Sequence, residues 1–452
     1  MKIDRFSDVP IYMQIYNEIV EQIVDGYLTG GERLLPRRKL SQQLGVAERT
    51  VENAYNKLLN DEYIVSRGGS GYFVSAERVW DEKHHIMKSC VYNFSSNGVE
   101  TSKLPFAEWS KLLRSTVRED TGLFQHGEKA GEWCLRKSIR RMLFKDFGVR
   151  CKTEQIIIGP GAEDLLRELM LLLSYDNTVI MNNCYYYRVK GVADSVHMNI
   201  SYLSDGPDGI DTKELAKINK GLLYIRPVHN LPTGVSLSEE KKLEIAEWAE
   251  GEKYVVEDAG ENHYQYGKRK KTIRELAGGR NVIFLGSFSN TIAPSMKIGY
   301  IVVPEEIGER WFAQKRFYSN RVSRVEQVTL SKFIDHGHFE RHVNYMREIY
   351  RAKMKVFEAA VKASPLGEIC RLSGTDTGMY CLAECDIDLD EGEAKALLAA
   401  HGVKLSSLSS SMSNPEKSGF KKNTYVVGFG EMTITQIREG VAAWSKAWRR
   451  YL

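Results

Sequence analysis

Apolar residues recur at every fourth position from the start of the chain: Ile11, Ile15, Ile19 and Ile23, with Tyr12, Tyr16 and Val20 widening the same face. That period predicts an amphipathic helix opened by Pro10 and capped by Gly26. A shorter run over 37–44 turns Leu40 and Leu44 inward, Gly45 makes a turn, and a third run over 47–59 aligns Val51, Ala54, Tyr55, Leu58 and Leu59. Two strand-like segments follow, Tyr63-Ile64-Val65-Ser66 and Tyr72-Phe73-Val74, around Arg67-Gly68-Gly69-Ser70-Gly71. Three helices and a hairpin predict a winged helix-turn-helix over 1–76. From Asn93 the rhythm changes to short apolar runs, Ile156–Ile158, Val179–Met181, Leu222–Ile225, Tyr254–Val256, Val282–Leu285 and Tyr300–Val303, several of them separated by helical stretches such as 162–173 and 238–250. This is α/β organisation with a mainly parallel sheet. A smaller α+β lobe is expected over about 330–452, beginning with a helix around 339–363 and ending with one over 433–449. Between the two parts, 77–92 lacks Gly and Pro, is rich in charge and reads as a linker; its His84-His85 pair reads as solvated.

Composition changes this picture little. The 452 residues leave room for two or three domains, and 42% hydrophobic with 27% charged residues is ordinary for a globular protein. No apolar run is long enough to span a membrane and no leader pattern opens the chain, so the expected location is the cytoplasm. Seven scattered cysteines fit reduced thiols better than a metal site. Residues 1–76 hold 9 Lys/Arg against 10 Asp/Glu, with the basic groups concentrated at 33–49. A domain so balanced binds DNA weakly as a monomer, which favours a dimer on a two-half-site operator.

The N-terminal motifs are specific. Pro10-Ile11-Tyr12-Met13-Gln14-Ile15, Leu40 to Val46, Thr50-Val51, Ala54-Tyr55 and Ser70-Gly71-Tyr72-Phe73-Val74 together resemble the GntR DNA-binding domain. Arg37, Arg38 and Lys39 open the second helix, where they can reach phosphates. The recognition helix starts Ala47-Glu48-Arg49-Thr50, facing base edges, and Arg67, Gly69 and Gly71 form the wing. The family commonly has Ser-Arg where this chain has Ala47-Glu48. Glu48 accepts from a cytosine amine and cannot read guanine, which predicts an unusual operator.

Residues 282–303, VIFLGSFSNTIAPSMKIGYIVV, resemble the cofactor-lysine segment of fold-type I aminotransferases, as found in the MocR branch of the GntR regulators. Phe94 to Gly98, Leu104-Pro105-Phe106, Trp109, Ala130-Gly131, Gly161-Ala162, Pro232-Thr233-Gly234, Glu257-Asp258 and Gly428-Phe429 extend the resemblance along the second part. It implies a large α/β domain with a smaller C-terminal lobe and a pyridoxal phosphate pocket. In that pocket Asp258 would hold the pyridine nitrogen, Tyr185 would stack on the ring, and Ser287 and Ser289 would bind phosphate. Lys297 stands for a phosphate-binding arginine, and Gly161 and Ala162 open a phosphate cup. His126 stands where a tyrosine reaches a phosphate across the dimer.

Three positions depart from the family. Asn290 replaces the Schiff-base lysine, Gly260 a tyrosine near the ring hydroxyl, and Val426 the arginine for the substrate carboxylate. An amide nitrogen is no nucleophile toward an aldehyde, so no covalent cofactor is expected. Lys268, Lys270 and Lys271 read as surface charges, and Lys297 has its phosphate role. Glu163 and Asp164 sit in the cup, where Lys297 could neutralise either. The expectation is a non-enzymatic, DNA-binding regulator, a domain-swapped head-to-tail homodimer on a double-stranded operator. Its pocket is left open to noncovalent pyridoxal phosphate, a related ligand or effector, or nothing. The competing readings are a pyridoxal-phosphate transaminase using another lysine and a purely structural domain.

Overall fold

The computed structural model describes residues 10–24, 27–61, 63–67, 71–75, 92–94, 98–173, 178–278, 280–315, 318–414 and 418–451, with the backbone alone at Val24 and Arg67. The expected Gly26 cap, the hairpin tip at Gly68, Gly69 and Ser70, and linker residues 77–91 lie outside them. The chain divides into two compact units, Met1–Ser89 and Cys90–Leu452.

In the first unit the four-residue period forms α1 (Ile11–Val24), followed by α2 (Arg37–Leu44) and α3 (Glu48–Asn60). Gly45 ends α2 in the left-handed region at φ 62°, the conformation a tight turn between helices needs. Ile15, Ile19, Leu40, Val51, Ala54, Tyr55 and Leu58 meet in one core. β1 (Ile64–Arg67) and β2 (Gly71–Val74) pair antiparallel with Ile64 opposite Val74. A third segment completes the wing unforeseen by the pattern: Leu34 N donates to Tyr72 O and Val74 N to Glu32 O, both at 2.9 Å. The Tyr55 hydroxyl donates to Leu35 O at 2.7 Å and ties the recognition helix to that segment.

The second unit is built on seven strands: β3 (Ile156–Gly159), β4 (Val179–Asn182), β5 (Ile200–Leu203), β6 (Gly221–Ile225), β7 (Lys253–Asp258), β8 (Val282–Ser287) and β9 (Gly299–Val302). Their order is β3-β9-β8-β7-β6-β4-β5, and only β9 runs antiparallel. Most are apolar on both faces because helices cover both sides of the sheet. Helices α4 (Ala162–Leu173) and α5 (Tyr187–Ser195) follow β3 and β4. β5, which alternates Ile200-Ser201-Tyr202-Leu203, is the one strand the apolar runs did not reveal.

The small lobe carries the long helix His338–Ala363, a four-stranded antiparallel sheet and the closing helix Ile434–Ala447. It also recruits the start of the unit: Tyr92–Asn93 pairs parallel with Val403–Lys404, and Phe94 is fully buried in the lobe's core. The lobe is therefore discontinuous in sequence, which its local pattern does not show. Cys370 and Cys385 face each other across two of its strands, their sulfurs 2.7 Å apart.

Candidate functional site

α3 presents two chemically different faces. Val51, Ala54, Tyr55 and Leu58 are buried, whereas Glu48, Arg49, Asn53 and Asn56 are exposed. Arg49, Asn53 and Asn56 lie at spacings of four and three, so they share one side of the helix. Guanidinium and amide groups are the side chains that read guanine and adenine edges bidentately. Asn53 and Asn56 were not singled out from sequence, since an exposed Asn in a helix resembles any solvated polar residue; only the burial of the opposite face marks them. Ala47 precedes α3 with no side-chain acceptor, so the first amides of the helix have no side-chain cap. Thr50 is half-buried.

At the start of α2, Arg38 and Lys39 are exposed. Arg37 does not stand free: its guanidinium pairs with Glu52 of α3 and lies 6.0 Å from the Tyr72 ring centroid. It fastens α2 to the recognition helix and the wing. Gly71, at φ 106°, leaves room for the Arg33 guanidinium beside the wing. The Arg67 side chain and Gly69 lie outside the described residues.

The second unit holds a cavity of about 170 Å³ at the ends of the sheet strands. Gly161, Ala162, Asp258, Ser287, Ser289, Asn290 and Lys297 line it, as the sequence led one to expect. Gly299 packs so closely on the Gly161–Ala162 backbone that a Cβ there would lie 2.8 Å from the Gly161 carbonyl carbon. That contact fixes the start of α4 against β9. One expected member, Tyr185, is absent from the lining. Tyr185 packs on Tyr202, with ring centroids 5.4 Å apart, and its backbone amide donates to Ser411 O; the next residue, Tyr186, lines the cavity. His126 is exposed and does not line its own chain's cavity.

The charges are also arranged differently from expectation. Lys297 neutralises neither acid of the cup. Glu163 pairs with Arg188 at 2.6 Å, and Asp164 with Arg167 at 2.8 Å and Arg321 at 3.2 Å. The Ser289 hydroxyl donates to Met296 O at 2.9 Å, and Ser287 Oγ accepts from the Ser289 amide at 3.2 Å. Lys270 pairs with Asp376 and Lys271 with Glu239, and of Lys268, Lys270, Lys271 and Lys297 only Lys297 reaches the cavity. Val426 lies in an apolar cluster with Cys184, Tyr380, Leu382 and Leu408, so that cluster presents no cation to a substrate carboxylate.

The main departure is at Asp258. Its carboxylate accepts Arg226 Nε at 2.9 Å, the Gly260 amide at 2.8 Å and the Tyr224 hydroxyl. Arg226 and Asp258 are both buried, and Arg226 Cζ lies 4.9 Å from the Tyr186 ring centroid. Burial opposes the Arg226 charge, but Asp258 and the neighbouring tyrosine hydroxyls hold its pKa well above the ordinary value. Burial, then Asp258, push the Tyr224 hydroxyl far up. Arg226, which directly follows the apolar strand β6, carries no signal in the sequence. These residues do not fit pyridoxal phosphate: position 290 has no amine, and the acid for the pyridine nitrogen is already engaged.

Comparison with known proteins supports the two-part reading. The family model "Bacterial regulatory proteins, gntR family" matches residues 11–74. Along nearly its whole length the chain is similar to the uncharacterized HTH-type transcriptional regulator YdeL of Bacillus subtilis (strain 168), with 28% identity over 463 residues, 99% of this chain and 98% of that protein. It is also similar to the probable rhizopine catabolism regulatory protein MocR of Rhizobium meliloti, with 26% identity over 471 residues, 97% and 94% of the two chains. Among solved structures, a kynurenine aminotransferase of Pyrococcus horikoshii superposes with a TM-score of 0.69 and 20% identity over 80% of this chain and 91% of that one.

Proposed function

We propose that this chain, which joins a GntR-type helix-turn-helix to an aminotransferase fold, is a cytoplasmic transcriptional regulator rather than an enzyme. The observation that carries the reading is the recognition helix: one buried face, and an opposite face on which Arg49, Asn53 and Asn56 stand exposed together. Full-length similarity to proteins described as transcriptional regulators supports it. Arg38 and Lys39 supply phosphate contacts, and the uncapped start of α3 offers amides to the same backbone. With basic residues no more numerous than acidic ones in the first unit, 9 Lys/Arg against 10 Asp/Glu over 1–76, useful affinity comes from two copies on two half-sites. The second unit supplies that dimer, in the domain-swapped, head-to-tail arrangement that the family resemblance implies.

The aminotransferase fold does no transamination in this reading. Asn290 offers no nucleophile, Gly260 no ring-hydroxyl partner and Val426 no carboxylate clamp. One observation favours the competing enzymatic reading: Lys297 reaches the cavity. Its stem passes Gly161, whose added Cβ would lie 3.9 Å from Lys297 Cδ, and this is the phosphate end of the site. The regulator reading is tested by footprinting the full chain on an operator selected from random DNA. Protection of two symmetric half-sites, lost in Arg49→Ala and Asn53→Ala, is expected. Equal protection by both variants would contradict the assigned interface.

A further inference from the structure

The geometry points to Arg226 as the residue that decides what the cavity accepts: its guanidinium takes the place a pyridine ring would need between Tyr186 and Asp258, and so closes the site to pyridoxal phosphate. A buried carboxylate must be paired or neutralised. In an aminotransferase-type pocket, a protonated ring nitrogen could meet that need at Asp258. Here a planar cation of this chain's own does so, with Arg226 Nε 2.9 Å from Asp258 Oδ2. The carboxylate offers about four acceptor sites. Arg226, Tyr224 and the Gly260 amide already use three. The aromatic face is taken in the same way, because a guanidinium stacks on a ring as a flat cofactor does and Arg226 Cζ lies 4.9 Å from the Tyr186 centroid.

Gly260 ties a second departure to the first. A Cβ at that position would lie 3.4 Å from Arg226 Cδ, Cζ and Nε, in van der Waals contact with a side chain held by its ion pair. Its φ of 46° also disfavours a side chain. Glycine at 260 leaves the Arg226 side chain its room, and a larger residue there would crowd it. Arg226, Gly260 and Asn290 are therefore one coherent set: a resident cation, the space that admits it, and no amine to capture an aldehyde. Moving Arg226 aside would strand a buried guanidinium. The cavity's other buried carboxylate, Glu261, already accepts the Met379 amide at 3.0 Å and lies 3.5 Å from His229 Nδ1.

Three full-length proteins are titrated with pyridoxal phosphate, read by coenzyme absorbance and equilibrium dialysis: wild type, N290K and R226A/N290K. No saturable binding is expected for wild type or for N290K, because restoring the amine leaves Arg226 in the ring's place. Saturable binding, with a borohydride-stable adduct at position 290, is expected for R226A/N290K. R226Q/N290K, which keeps a neutral donor for Asp258 on a shorter side chain, serves if R226A/N290K does not fold; the same gain is expected. Stoichiometric binding by wild type or N290K would overturn the assignment. So would a folded double variant that still fails to bind.

Discussion

Asp258→Ala isolates the ion pair at the centre of the cavity. The Arg226 and Asp258 side chains are each 8% exposed, so solvent compensates only weakly for the lost carboxylate. The substitution leaves a buried guanidinium uncompensated and removes the acceptor of the Tyr224 hydroxyl and the Gly260 amide. Breaking one side of a buried pair costs about 3–5 kcal/mol, and the two lost hydrogen bonds are part of that figure rather than additional to it. Arg226→Met/Asp258→Asn removes both charges and keeps similar volume, so it should cost less, about 1–2 kcal/mol, because exchanging a buried pair for neutral groups is often close to neutral. Urea unfolding followed by tryptophan fluorescence suits the measurement, since every tryptophan except Trp80 lies between Trp109 and Trp448 in the second unit. The midpoint should fall for Asp258→Ala at unchanged slope and recover most of the way in the double variant. A single variant within about 0.5 kcal/mol of wild type, the range of ordinary surface changes, would refute the pairing, as would a double variant worse than the single.

Three further outcomes follow. Arg38→Ala should weaken operator binding and lower the salt slope by about one, whereas Arg37→Ala should act through lower thermal stability of the first unit; a lowered salt slope for Arg37→Ala alone would reverse the two roles. Glu257, buried between the Ile273 and Arg274 amides, has its carboxyl pushed from 4.5 up to about 7 by burial. A raised folded-state value contributes stability that is complete below the unfolded value and is lost as pH rises through the folded one. Relative to Glu257→Gln, wild type should therefore lose about 3 kcal/mol between those pH values. His263, whose ring burial pushes down to about 3, destabilises the fold as pH drops below 6.5, so the difference between the two proteins is the diagnostic quantity; a flat difference would show Glu257 is not perturbed. Intact-mass analysis after borohydride treatment in excess pyridoxal phosphate should show wild type unmodified, and an adduct on Lys297 would restore the enzymatic reading.

Periodicity carried most of the fold. The spacing of Ile11, Ile15 and Ile19, the break at Gly45 and the apolar runs of six sheet strands are local signals, and the structure returns them within a residue or two. What stayed hidden depends on distant partners. Residues 32–34 bridge to the wing only because β2 lies alongside. Tyr92–Asn93 joins the small lobe from more than 300 residues away in sequence. In the cavity, backbone motifs such as Gly161 and the Ser287–Ser289 turn were legible because glycine and serine patterns mark fixed turns. Tyr185 and Tyr186 were not separable, since two adjacent aromatics look alike until the packing of Tyr185 on the distant Tyr202 tells them apart. Arg226 was invisible because at the end of an apolar strand an arginine reads as a surface charge, and its buried partner lies 32 residues further along the chain.

In the proposed reading this is a DNA-reading protein whose aminotransferase fold works without the cofactor of that fold. The most direct test of that reading is operator affinity of the full chain, measured by fluorescence anisotropy on a selected two-half-site duplex with and without saturating pyridoxal phosphate. Tight binding, abolished by Arg49→Ala and identical with and without the coenzyme, is predicted. Absence of sequence-specific binding, or an affinity that shifts when pyridoxal phosphate is added, would contradict it.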